Sequence, residues 1–359
     1  MTVRAALLTD IGAPLRLVDL DLPDPGPGQV RIRIAATGVC HSDLSLARGT
    51  LRQPVPAVLG HESAGTVVAV GPGVTSVSTG DRVVLIWAPP CRDCWYCTSG
   101  EPWLCERSSD AAGQPYATVG GEPVYPGLST GGFATETVVS EQAVLPVPNA
   151  IPLEQAALVG CAVMTGIGAV LETARVQPGQ SVLIVGLGGV GLSAVQGAGL
   201  ASATQVIVVD RSPDKLELAQ QLGATDVLAA GGELAKQVRA LTDGRGVDHG
   251  IDCVGAAETI RATWSSTRRG GTTVVVGIGG KEQQVSFSAL ELFHFARTIK
   301  GCVYGGADPA VLMPRILAHA AAGEIDLGAL ISGTIGLNQI DAAFDEMSRG
   351  VGARVVVVP

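Results

Sequence analysis

The stretch Val182-Leu183-Ile184-Val185-Gly186-Leu187-Gly188-Gly189-Val190-Gly191 decides the fold of this chain. An apolar run typical of a buried strand leads directly into glycines spaced as G-x-G-x-x-G, and an alanine-rich segment typical of a helix follows. A second apolar run, residues 206–209, ends at Asp210. A strand, a glycine turn, a helix and a second strand in this order predict an α/β domain with a doubly wound parallel sheet.

The glycine turn has the spacing needed to bind a dinucleotide. Gly186 permits the tight turn, Gly188 lets a pyrophosphate approach the backbone, and Gly191 lets the helix pack closely against the strand. The phosphates would lie at the helix N-terminus, where N–H groups and the helix dipole favour negative charge. Asp210 can accept hydrogen bonds from both ribose hydroxyls and would repel a 2′-phosphate, which favours NAD over NADP. The adjacent Arg211 leaves some tolerance for NADP, and a glycine turn without a ligand is the alternative.

The pattern changes near residue 162. Before it, short β segments alternate with turn residues, and no long amphipathic helix stands out. After it, strands and helices alternate, which extends the parallel sheet. The C-terminal helix and strand are expected to return to the first domain. The predicted segments are strands at 30–34, 65–73, 80–86, 226–228, 250–254 and 272–276, a helix at 213–222, and a terminal helix and strand at 340–347 and 354–358.

Composition excludes several classes of protein. The 359 residues carry a net charge of −9, which argues against a nucleic-acid or anionic-membrane binder. With 47% hydrophobic and 16% charged residues, disorder is not expected. Residues 181–209 hold no charge, but their glycines and polar residues fit strand, turn and helix better than a membrane span. The N-terminus has no signal-peptide pattern, so we expect a cytoplasmic protein with reduced thiols.

Four of the eight cysteines lie within fifteen positions of one another. Cys91, Cys94, Cys97 and Cys105 can fold round one zinc ion as four thiolate ligands, and such a closed site is structural because no position remains for substrate. Unligated thiols or two disulfides are the alternatives, and both fit this close spacing poorly in a reducing compartment.

A second possible metal site is more dispersed. Cys40, His61 and Cys161 would supply two thiolates and one imidazole, and three protein ligands leave a zinc position open for water or substrate. Spacing alone does not establish this site, because a buried cysteine is more often a small apolar core residue.

Five motifs in order resemble the zinc-dependent alcohol dehydrogenases of the medium-chain dehydrogenase/reductase superfamily. The resemblance covers nearly the whole chain. It implies a GroES-like, β-rich catalytic domain from residues 1–162 and 304–359, and a Rossmann NAD-binding domain from residues 163–303. The motifs are Gly38-Val39-Cys40-His41-Ser42-Asp43, Gly60-His61-Glu62, the lobe of about residues 91–105, Gly160-Cys161-Ala162-Val163-Met164-Thr165-Gly166 and the glycine turn.

The resemblance assigns two zinc ions per chain. Cys40, His61 and Cys161 match the ligands of the catalytic zinc, and the four clustered cysteines match those of the structural zinc. Asp43 matches the acid that orients the imidazole ligand. Glu62 matches a carboxylate next to the metal.

The resemblance also implies cofactor contacts and a proton path. His41 and Arg354 match cations placed against the pyrophosphate, and Lys215 matches a lysine that contacts the ribose. Ser42 is expected to accept the alcohol proton and pass it toward the ribose. Many family members then use a histidine where this chain has Ser45, so the last step of the proton path departs from the family pattern.

The expected reaction is reversible hydride transfer between an alcohol and NAD. Leu51, Trp87 and Phe133 are predicted as apolar pocket walls, which favours a hydrophobic or aromatic primary alcohol. The alternatives are a thiol-adduct formaldehyde dehydrogenase and, with less support, a zinc-free quinone or enoyl reductase. A zinc module without catalytic activity is a further class, opposed by the charge and the glycine turn. A homodimer or homotetramer is expected.

Overall fold

The computed structural model describes residues 3–359. Two compact units are present: one joins the segment ending at Ala162 to Asp308–Pro359, and the other spans Val163–Ala307. The sequence placed the second boundary four residues earlier, after residue 303. Residues 304–307 stay with the middle unit because Gly305 packs directly on Gly168. A Cβ added to Gly168 would lie 2.6 Å from the Cα atom of Gly305.

The N-terminal segment is built mostly from short strands. Strand β3 (Gln29–Gly38) alternates buried and exposed side chains as the sequence predicted, with Val30 and Ile32 fully buried and Arg33 exposed. The strands are β1 (Val3–Leu8), β2 (Arg16–Leu20), β3 (Gln29–Gly38), β4 (Ala57–Val58), β5 (Glu62–Val70), β6 (Arg82–Leu85), β7 (Ala117–Val119), β8 (Glu122–Pro126), β9 (Glu136–Ser140) and β10 (Val144–Pro146). The helices are α1 (His41–Ala47), α2 (Trp95–Thr98) and α3 (Leu153–Leu158).

The middle unit alternates strand and helix after a first short helix. Its apolar strands are buried because helices cover the faces of parallel sheets. The strands are β11 (Ser181–Val185), β12 (Gln205–Asp210), β13 (Asp226–Ala229), β14 (Val247–Asp252), β15 (Thr267–Val275) and β16 (Thr298–Gly301). The helices are α4 (Met164–Gly168), α5 (Gly189–Leu200), α6 (Pro213–Gln221), α7 (Leu234–Leu241), α8 (Ala257–Ser266) and α9 (Ala289–Phe295).

The six strands of the middle unit form one parallel sheet in the order β13-β12-β11-β14-β15-β16. Strand β11, the first of the six along the chain, is central in the sheet. It has β12 on one side and β14 on the other, so the strand order reverses beside it. Ligands bind outside the carboxyl ends of strands at such a switch point, and the glycine turn follows the carboxyl end of β11. The predicted Rossmann architecture is confirmed.

The C-terminal segment adds to the first unit. Strand β18 (Arg354–Val357) pairs antiparallel with β3. With β17 (Ile331–Ile335), the chain end completes a seven-stranded sheet ordered β10-β6-β5-β3-β18-β17, in which β9 also pairs with β3. A second sheet is ordered β2-β1-β4-β8-β7. The elements of this segment are α10 (Pro309–Ala321), β17 (Ile331–Ile335), α11 (Ile340–Ser348) and β18 (Arg354–Val357).

A continuous helical stretch, Leu153–Ala174, was not predicted from the sequence. It is long and apolar enough to cross a membrane, but 78% of its most apolar window is buried inside the protein, as in a core helix. Residues 181–209, considered as a span from the sequence, form strand, turn, helix and strand instead. The helical stretch matters for the site because it carries Cys161.

Candidate active site and metal centres

Three side chains from distant parts of the chain meet in the first unit. Cys40 lies between β3 and α1, His61 directly precedes β5, and Cys161 lies in Leu153–Ala174 where residues Val159–Val163 are wound as a π-helix. Their two sulfurs and one ring nitrogen all lie within 4.8 Å of one another, and all three residues are buried. The Nε2 atom of His61 is 3.3 Å from the Sγ atom of Cys161.

This donor set fits a zinc ion. Zn–S bonds of about 2.3 Å and Zn–N bonds of about 2.0 Å in a tetrahedron place the donors roughly 3.5 to 3.8 Å apart. The separation between His61 and Cys161 is close to that value. Thiolate and imidazole together suit zinc, and three protein donors leave one position for a substrate oxygen.

Asp43 ties two of the three donors together. Its Oδ1 atom accepts hydrogen bonds from His61 Nδ1 at 3.0 Å and from the Gly60 N–H at 2.9 Å. Its Oδ2 atom accepts from the Cys40 N–H at 3.3 Å. A proton on His61 Nδ1 leaves the Nε2 lone pair for a metal, so this fully buried carboxylate sets both the tautomer and the ring orientation.

The three donors are strongly coupled in the absence of an ion. A hydrogen bond between the two thiol groups lowers the pKa of Cys40 and raises the pKa of Cys161. Burial lowers the pKa of His61, but the negative charges of Asp43 and Cys40 outweigh it and raise that pKa well above its usual value. Zinc binding requires deprotonated thiols and a neutral imidazole, so an ion would displace these protons.

Glu62 and Arg354 form a buried ion pair beside the donors. The Oε1 atom of Glu62 accepts from the Ala162 N–H at 3.1 Å, and Oε2 lies 3.3 Å from Arg354 Nε. Burial raises the pKa of Glu62 to about 7, although the positive charge of Arg354 opposes the shift. Arg354, expected against a pyrophosphate, is 5% exposed and also donates to the Val39 carbonyl at 2.7 Å. Its guanidinium therefore has partners within the first unit.

The four clustered cysteines also converge. Cys91 and Cys97 have sulfurs 3.9 Å apart, as do Cys94 and Cys105, close to the roughly 3.8 Å expected for two thiolates on one tetrahedral zinc. Backbone N–H groups of Cys97 and Glu106 lower the pKa of Cys94 to about 6, which favours the thiolate ligand. All four sulfurs lie within 4.8 Å of one another, so the closed site predicted from spacing has the geometry it needs.

A bidentate ion pair anchors this lobe. The guanidinium of Arg92 binds the Asp308 carboxylate through both Nη atoms, with Nη2 at 2.9 Å from Oδ1. Asp308 also caps α10, because its Oδ1 accepts from the Ala310 N–H at 3.0 Å. The lobe is thus tied to a helix start as well as folded round its own sulfurs.

In the middle unit, the glycine turn is held by Asp210. One carboxylate oxygen accepts from the Leu187 N–H at 2.7 Å and the other from the Ser212 N–H at 2.9 Å. An added Cβ at Gly191 would lie 1.9 Å from the Gly186 carbonyl oxygen, so only glycine allows this close packing of helix and strand. At Gly188 an added Cβ would meet nothing within 4 Å, which leaves the backbone open to a pyrophosphate. The turn fits a dinucleotide.

The other residues expected at the cofactor or in the proton path occupy element ends. His41 is exposed as the first residue of α1, and the Ser42 hydroxyl next to it is 3.8 Å from the Cys40 sulfur. Arg211 is exposed after β12, and Lys215 is half-buried in the first turn of α6. None of these positions by itself assigns a ligand contact.

The three predicted pocket walls differ in their surroundings. Trp87 is half-buried, and its ring meets the His61 ring edge to face at 6.2 Å between centroids. Leu51 is half-buried against the core between the first two strands and α11. Phe133 corrects the prediction: it is fully buried in that core, 6.4 Å from the Phe344 ring, and has no surface with which to meet a substrate.

One contact beside the metal donors was not predicted. The carbonyl of Gly60, which precedes His61, accepts from the Thr130 hydroxyl at 2.8 Å and from the Gly132 N–H at 2.7 Å. No signal in the sequence marks Thr130, because only the fold brings it to a residue 70 positions away.

Comparison with known proteins shows the family of the chain. The family model for the alcohol dehydrogenase GroES-like domain matches residues 26–149, and the model for zinc-binding dehydrogenases matches residues 189–318. The S-(hydroxymethyl)glutathione dehydrogenase of Photobacterium damsela subsp. piscicida is 38% identical, over 99% of this chain and 100% of its own length. The chain belongs to the zinc-binding alcohol dehydrogenase family.

Solved structures of related dehydrogenases superpose on the whole chain. An alcohol dehydrogenase zinc-binding domain protein from Burkholderia ambifaria has a TM-score of 0.94 and 32% identity, and covers 100% of this chain and 99% of its own. Benzyl alcohol dehydrogenase from Acinetobacter calcoaceticus has a TM-score of 0.92 and 29% identity, with the same coverage. The chain is therefore a zinc-containing oxidoreductase of this family, which uses NAD, and its two donor clusters fit two zinc ions.

Proposed function

We propose that this dehydrogenase interconverts aromatic or other hydrophobic primary alcohols and their aldehydes, with NAD as the hydride acceptor. One observation carries the proposal: the buried donors Cys40, His61 and Cys161 leave one ligand position open, and the Trp87 ring lies against the imidazole. An open metal position with an aromatic wall beside it suits an alcohol whose apolar part must be taken out of water.

A zinc ion held by these donors supplies Lewis-acid polarisation of the substrate oxygen and lowers the pKa of the alcohol. The protein side chains do the rest. Asp43 holds the His61 ring in place. Arg354, which is paired with Glu62, favours the thiolate forms of Cys40 and Cys161 through its positive charge.

Ser42 is the proposed first acceptor of the alcohol proton. It is half-buried in the first turn of α1, with its hydroxyl 3.8 Å from the Cys40 sulfur. A hydroxyl both accepts and donates, so it can take a proton on one side and pass it to the cofactor ribose on the other. With Ser45 at the next family position, we propose that water completes the path to solvent.

NAD is the proposed cofactor, and Asp210 is the residue that selects it. Its carboxylate already braces the glycine turn through Leu187 and Ser212. A fixed negative charge at this point would repel a 2′-phosphate. The proposed cationic contacts of the cofactor are His41, Lys215 and Arg354. Arg211 is exposed beside Asp210 and would weaken the discrimination against NADP.

An S-(hydroxymethyl) thiol adduct is the second candidate substrate. It is favoured by the S-(hydroxymethyl)glutathione dehydrogenases that are 38% identical to this chain. The aromatic alcohol is favoured by the Trp87 ring beside His61, by Leu51 as a second proposed apolar wall, and by the whole-chain similarity to a benzyl alcohol dehydrogenase. The two candidates differ in charge, since glutathione carries carboxylates that need cationic partners.

The test compares kcat/KM for benzyl alcohol, ethanol and S-(hydroxymethyl)glutathione with NAD. We expect benzyl alcohol to exceed both others by at least about tenfold, because apolar contacts of this size change discrimination by 1–3 kcal/mol. Trp87→Ala should remove most of the preference over ethanol, whereas Trp95→Ala, at an indole that is 65% exposed, should leave it intact. A higher kcat/KM for the thiol adduct would replace the aromatic assignment with the second candidate.

We also propose a cytoplasmic homo-oligomer, a dimer or a tetramer. All eight cysteines are unpaired, as expected in a reducing compartment. Strand β16 is exposed along its length at one edge of the parallel sheet, and Leu290 and Phe293 on α9 are 72% and 83% exposed. An uncovered edge with apolar neighbours suits pairing with a second copy. Phe293→Asp should shift the sedimentation coefficient toward that of a monomer.

A further inference from the structure

The residue before the histidine ligand has an unusual backbone. Gly60 has a φ of +88°, and an added Cβ would lie 2.6 Å from both the backbone nitrogen and a ring carbon of Phe133. Only glycine is accommodated, so no side chain at this position can brace the loop. Hydrogen bonds to the peptide groups around Gly60 therefore help to set the backbone orientation of the next residue, His61.

Both peptide groups around Gly60 are held. On the N-terminal side, the Gly60 N–H donates to Asp43 Oδ1 at 2.9 Å. On the C-terminal side, the Gly60 carbonyl accepts from the Gly132 N–H at 2.7 Å and from the Thr130 hydroxyl at 2.8 Å. That carbonyl belongs to the peptide bond that leads into His61, so its two donors fix the plane from which the imidazole projects.

Thr130 is itself rigidly placed. It is fully buried, its N–H donates to the Gly127 carbonyl at 3.2 Å, and its own carbonyl accepts from the Thr137 hydroxyl at 2.6 Å. The two residues before it, Leu128 and Ser129, have φ angles of +45° and +64°. Consecutive left-handed residues other than glycine persist only where the surroundings enforce them, and they cluster near functional sites.

We propose that Thr130 is a positioning residue for the zinc ligand His61. Its hydroxyl holds the Gly60–His61 peptide, while Asp43 holds the ring, so the imidazole is fixed from the backbone side and from the side-chain side. The proposal rests on the zinc site of the proposed function and on nothing about the substrate. Loss of a group that hydrogen-bonds directly to the side chain of a metal ligand changes metal affinity by about 10- to 100-fold. Thr130 acts less directly, because it bonds to the backbone next to the ligand and not to the imidazole.

The effect on the two metal sites should be selective. Removing the hydroxyl leaves only the Gly132 N–H on the Gly60 carbonyl, so this carbonyl loses one of its two donors. The lobe formed by residues 91–105 shares none of these bonds. A loosened imidazole would therefore release the ion at Cys40, His61 and Cys161 faster and leave the other ion unaffected.

The experiment follows zinc transfer from the loaded protein to a chromogenic chelator, with no alcohol or NAD present. Thr130→Val should speed release from one of the two sites by about tenfold, toward the lower end of the range for outer partners. The affected phase is identified by its absence in Cys161→Ser. Thr130→Ser, which keeps the hydroxyl, should stay within about twofold of the native rate. Thr263→Val is the matched control, because Thr263 is also fully buried and donates to a carbonyl at 2.8 Å, but in helix α8.

Three results would overturn the proposal: native release rates in Thr130→Val, equal acceleration at both sites, or no rescue by serine. If Thr130→Val does not fold, Thr137→Val provides the second test. It removes the hydroxyl that holds the Thr130 carbonyl and should accelerate the same phase by a smaller factor. A native protein that binds one zinc or none would instead contradict the proposed function, so the two failures are distinguishable.

Discussion

The two cysteine clusters of this dehydrogenase reach similar donor spacing by opposite routes. Cys91, Cys94, Cys97 and Cys105 lie on one short, partly exposed loop, and backbone N–H groups of the loop itself donate to their sulfurs. Cys40, His61 and Cys161 are buried and come from three separate parts of the chain, with 100 positions between the last two. The first cluster is a local structure, whereas the second exists only when the fold is complete.

The two clusters differ in what a bound ion could do, because one could only stabilise the fold and the other could bind substrate. Four thiolates would close the coordination of a zinc ion in the lobe, so we propose that this ion stabilises the fold and binds no substrate. An ion held by only three protein donors would keep one ligand position open, so we propose that this second cluster carries the chemistry. Variants of the two clusters should therefore fail in different ways.

The largest effect is expected for Cys161→Ser. Loss of a thiolate donor removes the catalytic ion and several kcal/mol of transition-state stabilisation, so kcat/KM should fall by about 1,000-fold or more. Steady-state kinetics with metal analysis should give one zinc per chain and a thermal midpoint close to the native one. Activity above a tenth of the native value would show that Cys161 is not a required ligand.

Cys91→Ser should produce the opposite pattern. A structural ion present at a thousandfold over its dissociation constant stabilises the fold by about 4 kcal/mol, and this contribution should be lost. Chemical unfolding followed by tryptophan fluorescence measures it. Activity per remaining zinc should stay within about twofold at low temperature, since a closed site makes no transition-state contact. An unchanged midpoint of unfolding would mean that the lobe holds no stabilising ion.

Asp43→Asn should have a smaller effect, confined to the buried cluster. The carboxylate that orients His61 loses its charge, and the affinity for the catalytic zinc should fall by about 10- to 100-fold. Competition with a chelator measures this, and Asp81→Asn, at an exposed aspartate, is the control. Equal weakening of both ions would contradict the separation of the two clusters.

The smallest effect is expected at His249, which lies outside both clusters. This residue should contribute to the loss of stability in acid without involving a metal ion. Burial lowers the pKa of His249 on β14, so the folded protein disfavours its protonation. The unfolded chain then binds more protons, and stability must fall as the pH drops below about 6.5. His249→Asn should flatten the loss of unfolding free energy between pH 6.5 and 5, while His294→Gln, at an exposed histidine, should not. If the unfolding free energy falls equally with pH in the native protein and both variants, His249 does not contribute to the acid sensitivity.

The regular part of the fold could be predicted from short-range patterns. Residues 182–185 and 206–209 lie in β11 and β12, and residues 213–222 overlap α6, because apolar runs and helix-end signals act locally. The stretch Leu153–Ala174 was missed since Gly160, Gly166 and Gly168 weaken its helix signal. Burial compensates there: an added Cβ at Gly166 would lie 2.2 Å from the Val190 carbonyl oxygen.

The site was predictable to the extent that spacing or family resemblance reveals it. The four-cysteine site could be predicted from the spacing of its cysteines. The site of Cys40, His61 and Cys161 could be assigned only from the family resemblance. Phe133 was misplaced because an aromatic residue in sequence does not show whether it faces a pocket or the core. The bonds from Thr130 to Gly60 and from Arg354 to Glu62 span long stretches of chain, so only the folded structure reveals them.

Anomalous diffraction at the zinc absorption edge, on crystals grown with NAD and an unreactive alcohol analogue, tests the central claim most directly. The account predicts two zinc ions per chain, one bound by four cysteines and the other by Cys40, His61, Cys161 and an oxygen of the analogue. A second ion with four protein ligands, or no ion among those three side chains, would contradict it.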